Sequence, residues 1–233
     1  MTSSPSGSSS PDVVAIVLAG GAASRFGSDK LATDLDGRPL LHHALEAVAE
    51  VADCIVVVIA PEAPLPSVPE GLARRVVFAR DAAAHGGPLA GLGAGLAAID
   101  TPVREEAPHI SGPEAGSVGS VGRVGPVALV LGGDMPSLVP AVLRLLAETL
   151  AADPSLAAMT LAAPGPAPLP MAVRPDAART AIDAILASGG RRSLLALLDA
   201  VPSATLPGDR WRPLDPSAAT LRDIDTPADL QPG

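Results

Sequence analysis

Arg25 and Lys30 stand just beyond the run Val13-Val-Ala-Ile-Val-Leu-Ala-Gly-Gly21, so two cations follow an apolar stretch that ends on paired glycines. Glycine has no Cβ and lets a ligand come close to the backbone. The N–H groups of Ala19 to Ala22 can then face anionic oxygens while the two side chains add charge. That combination suits the holding of a polyphosphate. It is neither of the two standard patterns: no Gly-Lys-Ser/Thr closes it as a P-loop, and no G-x-G-x-x-G opens it as a dinucleotide fingerprint. The same residues also suit a plain strand-to-helix turn that binds nothing.

Carboxylates occur where such a site would need them. Val127-Ala-Leu-Val-Leu131 is a second buried-strand run, and it delivers Gly132-Gly-Asp-Met-Pro-Ser137 at its end. Asp223-Ile-Asp225-Thr-Pro227 lies far along the chain. Transfer of a nucleotidyl group needs cations against the triphosphate, a metal held by carboxylate oxygens and an in-line nucleophile that the substrate itself can supply. Asp134 is the natural Mg²⁺ ligand, with a turn-closing aspartate as its bland alternative. Asp225 is assigned to metal contact and Asp223 to support, the extended backbone being read as placing one on each side. Asp-Ile-Asp-Thr-Pro is also a good helix N-terminus, in which a carboxylate only meets the dipole. Arg191 and Arg192 follow Gly189-Gly190 and are read as opening a helix, where forked donors beside free N–H groups suit a phosphate of the acceptor. A solvated helix start is the competing reading. His42 and His43 have no partner pattern and are read as ordinary helix residues.

Composition excludes other classes. The net charge of -9 opposes a nucleic-acid surface, and Phe26, Phe78 and Trp211 are too few aromatics to form a base-stacking platform. No apolar run approaches the roughly 18 residues of a membrane span. Cys54 is the lone cysteine, which rules out an internal disulfide and a multi-thiolate zinc site, and the expected compartment is the cytoplasm. Residues 1–11 are Ser, Gly and Pro around Met1 and Thr2 and read as a disordered tail.

The elements that must position these residues alternate between strand and helix patterns. Strand runs fall at Val13–Leu18, Ile55–Ala60, Val76–Ala79, Val127–Leu131, near Ala157–Ala162 and at Met171–Arg174. Between and after them come helix patterns from Pro39 to about Val51, from Pro88 to Ile99, from Leu138 to Ala152, from Pro175 to Gly189 and from Arg191 onward, then an irregular stretch from Gly208 to Ala219. A short helix capped by Thr226 closes the series. The fold class is α/β: one domain over 12–232, three α/β/α layers, Rossmann-like, with a mostly parallel central sheet. Residues 103–126 break that alternation and include the low-complexity, glycine- and serine-rich run Glu114–Gly125, either a flexible insertion or a lid.

Leu18-Ala-Gly-Gly-x-x-Ser-Arg-Phe-Gly-x-Asp-Lys30 resembles the signature loop of the nucleotidyltransferases that share the nucleotide-diphospho-sugar transferase fold, and within them the molybdenum-cofactor guanylyltransferases. The resemblance runs from Val13 to about Leu230. It implies nucleotide contacts from Leu18, Ala19, Gly20, Gly21 and Asp81 and from Gly87, Pro88 and Leu89. It further implies phosphate contact from Lys30 with Arg25, and Mg²⁺ on Asp134. The reaction implied is GTP plus molybdopterin giving the guanine dinucleotide cofactor and pyrophosphate, with molybdoenzymes or other cofactor-biosynthesis proteins as possible partners. Asp223-Ile-Asp225-Thr-Pro227 stands where the family often has Asn-x-Asn-Thr-Pro, a form that also resembles molybdopterin cytidylyltransferases. Leu18-Ala-Gly-Gly21 and Gly87-Pro-Leu-Ala-Gly91 side with GTP. Two rivals come from other classes. A non-catalytic carrier or insertion chaperone would be favoured by loss of Lys30, Asp134 or Asp225, and all are present. A nicotinamide oxidoreductase lacks its fingerprint.

Overall fold

In the computed structural model, residues 11–20, 30–81, 86–99, 127–165, 167–189 and 191–230 are described. Gly21, Arg25, the 103–126 segment and residues 1–10 of the tail lie outside them. The strands are β1 (Val13–Leu18), β2 (Asp34–Leu35), β3 (Arg38–Pro39), β4 (Cys54–Ile59), β5 (Val76–Arg80), β6 (Val127–Gly132), β7 (Ala158–Leu161), β8 (Met171–Val173) and β9 (Ser203–Leu206). The helices are α1 (Leu40–Ala49), α2 (Gly87–Ile99), α3 (Pro140–Ala152), α4 (Pro175–Ala187), α5 (Leu194–Ala200) and α6 (Gly208–Trp211).

A seven-stranded sheet runs in the order β5-β4-β1-β6-β8-β7-β9, parallel except for the pairs that β8 makes with β6 and β7. The β-branched runs explain its centre. β1, β4 and β6 are buried on both faces, and alternate residues feed two separate cores. Ala15, Val17, Ile55, Val57, Leu129 and Leu131 pack with α1, α3 and Trp211. Val14, Ile16, Val56, Val58, Ala128 and Val130 pack with α2, α4 and α5. This is the three-layer α/β/α arrangement expected. Among the described residues no helix is long and apolar enough to cross a membrane.

The chain visits β1, β4 and β5 on one side, then returns to lay β6 on the free edge of β1. Leu18 is in register with Val58 on one side and Gly132 on the other. The switch point therefore lies between the C-terminal ends of β1 and β6, where open α/β sheets form a ligand crevice.

Some elements differ from the sequence expectation. Pro39 pairs in β3 and flanks α1, which begins at Leu40 and ends at Ala49 before Val51. Asp36 and Gly37, both at positive φ, make the two-residue turn between β2 and β3, the dipeptide that such a hairpin favours. Arg191 and Arg192 do not open a helix: α5 starts at Leu194, and Ser193 caps it by accepting the Ala196 N–H. The stretch after Gly208 is more ordered than its composition indicates. It holds α6 and a 3₁₀ turn at Ala219–Leu221, and the strand β9 precedes it.

Candidate active site

Beyond β1 the Ala19 N–H donates to the Val58 carbonyl at 2.7 Å, so it is committed to the sheet and not open to an anion as the sequence reading had it. The Leu18 carbonyl accepts the Gly133 N–H at 3.0 Å, which ties the ends of β1 and β6 together. Gly20 lies so close to β4 that a Cβ there would stand 3.3 Å from the Ala60 nitrogen. The chain re-enters the described region at Lys30, the first residue of a 3₁₀ turn.

At the end of β6 the Asp134 side chain folds back, and its Oδ1 occupies the space that a Cβ on Gly132 would fill. Gly132 is thus required by the carboxylate itself. The Asp134 carbonyl accepts the Ile224 N–H at 2.9 Å, joining β6 to the C-terminal segment. A second tie lies nearby: the buried Thr220 hydroxyl accepts the Val139 N–H at 3.1 Å, just ahead of α3. Asp215 organises that segment. Its Oδ2 accepts the Thr220 N–H at 2.8 Å, and its Oδ1 accepts the Ala219 N–H and the Ser217 hydroxyl, both at 3.0 Å. Burial pushes the Asp215 carboxyl up, but these donors outweigh it and hold the group below the ordinary aspartate range.

These ties bring three of the residues picked out in the sequence together. The Lys30 ammonium donates to Asp134 Oδ2 at 2.8 Å and to Asp225 Oδ1 at 3.1 Å. Burial would lower its pKa, but the hydrogen bonds and charges of the two carboxylates raise it overall, so the cation is firmly held. Asp223 is near enough to feel the same charges. Although the Asp223 side chain is exposed, partial desolvation against its neighbours, with the Asp225 and Asp134 carboxylates, lifts its pKa. Asp223 and Asp225 therefore do not fall on opposite sides, the arrangement expected from the sequence. Residues two apart share a side of an extended chain. Ile224 turns into the core between them, and both carboxylates stay exposed. Thr226 does not cap the final turn with its hydroxyl. That hydroxyl donates to Asp229 Oδ2, which also accepts the N–H groups of Asp225 and Thr226.

Other candidate residues lie around this centre. The Asp81 N–H donates to the Ile59 carbonyl at 2.9 Å, placing Asp81 just past β5. Gly87 begins α2 at φ +80, and a Cβ there would meet the Arg192 carbonyl at 2.8 Å, so the arginine pair borders the start of α2. Both arginines are exposed. The Leu89 side chain is wholly buried, which leaves only its backbone for a ligand. His42 contacts the Ser67 hydroxyl at 3.1 Å, and His43 Nε2 donates to the Leu35 carbonyl at 2.8 Å, both structural roles. Asp215, Thr220 and Ile224 were not found from the sequence. Asp-Pro-Ser217 signals a turn, but nothing in it names Val139 as the far partner.

Among the described residues no group of three or more His, Cys, Asp or Glu side chains is placed to hold a metal ion. Asp134 and Asp225 still fit Mg²⁺, because that ion commonly takes one or two carboxylates and completes its shell with substrate phosphates and water. Their oxygens are hard donors from separate segments that already share a cation.

A mostly parallel seven-stranded sheet with helices on both faces and a crevice at its switch point defines an α/β nucleotidyltransferase-like fold. Solved structures share it at identities that speak for the fold alone. Molybdopterin-guanine dinucleotide biosynthesis protein A from Archaeoglobus fulgidus matches with TM-score 0.66 and 22% identity, covering 94% of each chain. The 2-C-methyl-D-erythritol 4-phosphate cytidylyltransferase from Thermus thermophilus matches with TM-score 0.59 and 20% identity over 92% of this chain and 94% of that one. In sequence, the probable molybdenum cofactor guanylyltransferase of Chloroflexus aggregans is 29% identical over 219 residues, 93% of this chain and 90% of that protein. The family model for the MobA-like NTP transferase domain matches residues 15–201, and the chain belongs to that family.

Proposed function

We propose that this chain transfers GMP from GTP to the terminal phosphate of the molybdenum–molybdopterin cofactor, giving the guanine dinucleotide cofactor and pyrophosphate. An acceptor phosphate oxygen forms a bond to the α-phosphorus as the bond from that phosphorus to the bridging oxygen of the pyrophosphate breaks. The observation that carries the reading is the meeting of Lys30 with Asp134 and Asp225 beyond the ends of β1 and β6, in a chain of the MobA-like family. The name of the Chloroflexus relative supports the acceptor and the base.

In this reading the backbone of Leu18, Ala19, Gly20 and Gly21 approaches the nucleotide, with Asp81 and the Gly87-Pro88-Leu89 backbone on its other side. Asp134 and Asp225 would hold Mg²⁺, which when bound neutralises phosphate charge. Lys30 and Arg25 oppose the charge that builds on the leaving pyrophosphate. Arg191 and Arg192, exposed beside the start of α2, are assigned to the acceptor because the phosphates of the nucleotide are already given to the Gly20 loop and Lys30. Replacing both by Ala should raise KM for molybdopterin several-fold and leave that for GTP nearly unchanged, read from initial rates with each substrate varied. A loss confined to GTP would reverse the assignment. In this reading the enzyme works in the cytoplasm and passes its product on to molybdoenzymes.

Asp223-Ile-Asp225-Thr-Pro227 favours a second reading, transfer of CMP from CTP. Incubation with molybdopterin, Mg²⁺ and each of GTP, CTP, ATP and UTP, with pyrophosphate release as the signal, tests both. Release with GTP is the expected result. Release with CTP instead moves the protein to the cytidylyl branch, and tight pterin binding with no release under any nucleotide makes it a carrier.

A further inference from the structure

We propose that the Lys30 ammonium serves as a built-in counter-ion that occupies the metal carboxylates, so that Mg²⁺ gains them only when a nucleotide draws the lysine away. The proposal rests on the nucleotidyl-transfer reading and specifies how its metal site is regulated.

Geometry supplies the argument. Asp134 Oδ1 is turned inward over Gly132, which leaves Oδ2 as the oxygen directed at the C-terminal segment, and Oδ2 is the one that accepts from Lys30 at 2.8 Å. The same ammonium reaches Asp225 Oδ1 at 3.1 Å. It therefore sits between the two oxygens that a bridging ion would use. Mg²⁺ binds carboxylate oxygens at about 2.0–2.1 Å, so an ion shared by this pair would stand against the ammonium at a few ångströms. Two cations that close repel strongly in a partly buried site, and the pair of aspartates does not carry enough charge to hold both tightly. The Lys30 side chain is 14% exposed, so solvent screens that conflict less on the Asp134 side than at Asp225, which is 58% exposed.

Relief comes from the substrate. Lys30 is the first residue of a 3₁₀ turn, and its flexible four-carbon stem gives the ammonium reach from the carboxylates towards a phosphate. A triphosphate is a denser anion than two aspartates. Once the lysine has moved, Asp134 and Asp225 are left as unpaired anions beside Asp223, and a divalent ion becomes the favoured partner. Nucleotide and metal then bind with positive coupling, each raising the affinity for the other.

Mn²⁺ binding measured by electron paramagnetic resonance of the free ion, without nucleotide, tests this. Wild type should bind Mn²⁺ weakly. Lys30→Met should bind one ion about tenfold or more tightly, a gain of metal affinity from deleting a charge that the reaction itself needs. Adding Asp134→Asn to it should erase the gain. Water-proton relaxation should report a ternary complex when GTP is added to wild type with Mn²⁺. Equal Mn²⁺ affinity in wild type and Lys30→Met would overturn the counter-ion role, while a GTP-dependent ternary complex in wild type would leave the metal site standing. No binding in either protein and no ternary complex with GTP would overturn the metal assignment as well. Lys30→Gln, which keeps donors but no charge, gives the same reading if Lys30→Met melts below the assay temperature.

Discussion

Asp134 is placed by contacts on both of its sides: its Oδ1 fills the gap over Gly132, and its carbonyl holds Ile224. Its type and its position after a buried strand are visible in the sequence. The inward fold of the carboxylate is not, because it depends on the missing Cβ two residues earlier. Asp134→Asn keeps size and shape but removes an anionic oxygen, so kcat should fall about a hundredfold or more, with an unchanged circular-dichroism melt. Full activity in the variant would remove Asp134 from the metal site. Asp223 and Asp225 teach a different point. Both types were legible, but their shared side follows from Ile224 being anchored in the core, and that anchor is a tertiary contact.

At the scale of elements, α2 owes its position to small residues. Gly95 leaves a Cβ only 2.6 Å from Ile16 Cγ2 and 3.0 Å from Val58 Cγ2, both branched methyls fixed close to the sheet backbone. Gly95→Ala should therefore lower thermal stability: overpacking costs about 1–3 kcal/mol, and the better helix propensity returns up to about 1. A melt at or above wild type would show that the helix shifts freely. Helix ends are closed from a distance as well. Arg75 donates to the Ala49, Ala52 and Asp53 carbonyls at and just past the end of α1, and Arg174 to the Leu150, Asp153 and Leu156 carbonyls around the end of α3. Neither helix has a glycine at its end to do this locally, and no local pattern shows which arginine will. The Asp215 segment behaves similarly. Asp215→Asn spoils one acceptor of a buried group and should cost about 1–3 kcal/mol at neutral pH, read by denaturant unfolding. The wild-type carboxyl is held below its ordinary value, so its stabilisation is complete above about pH 3.9 and is lost as pH falls through the depressed pKa. The gap between wild type and variant should close in that acid window. A gap that persists unchanged there would mean the charge is not what Asp215 contributes.

For the molecule as a whole, the sheet sets the site at its switch point, and both cores lie below that edge. Excising residues 112–125, which fall between α2 and β6 in the chain, should leave the melting temperature and turnover nearly unchanged if this glycine- and serine-rich stretch is an insertion. A large activity loss without unfolding would make it a lid. The sequence by itself determined the α/β class, the order of the main strands and helices, and the residue types at Lys30 and at the carboxylates 134, 223 and 225. These follow from apolar runs, turn residues and spacing, all of which are local. Only the tertiary structure decided that β6 returns to the open side of β1, that β8 runs antiparallel and that β9 exists as an edge strand. It alone decided that Asp225, 195 residues beyond Lys30, shares that lysine with Asp134. The reason is physical. Each of these depends on hydrogen bonds and packing between segments far apart in the chain, such as Ile224 on the Asp134 carbonyl and Thr220 on Val139, and a carbonyl or an N–H carries no mark in the sequence of which distant group will pair with it.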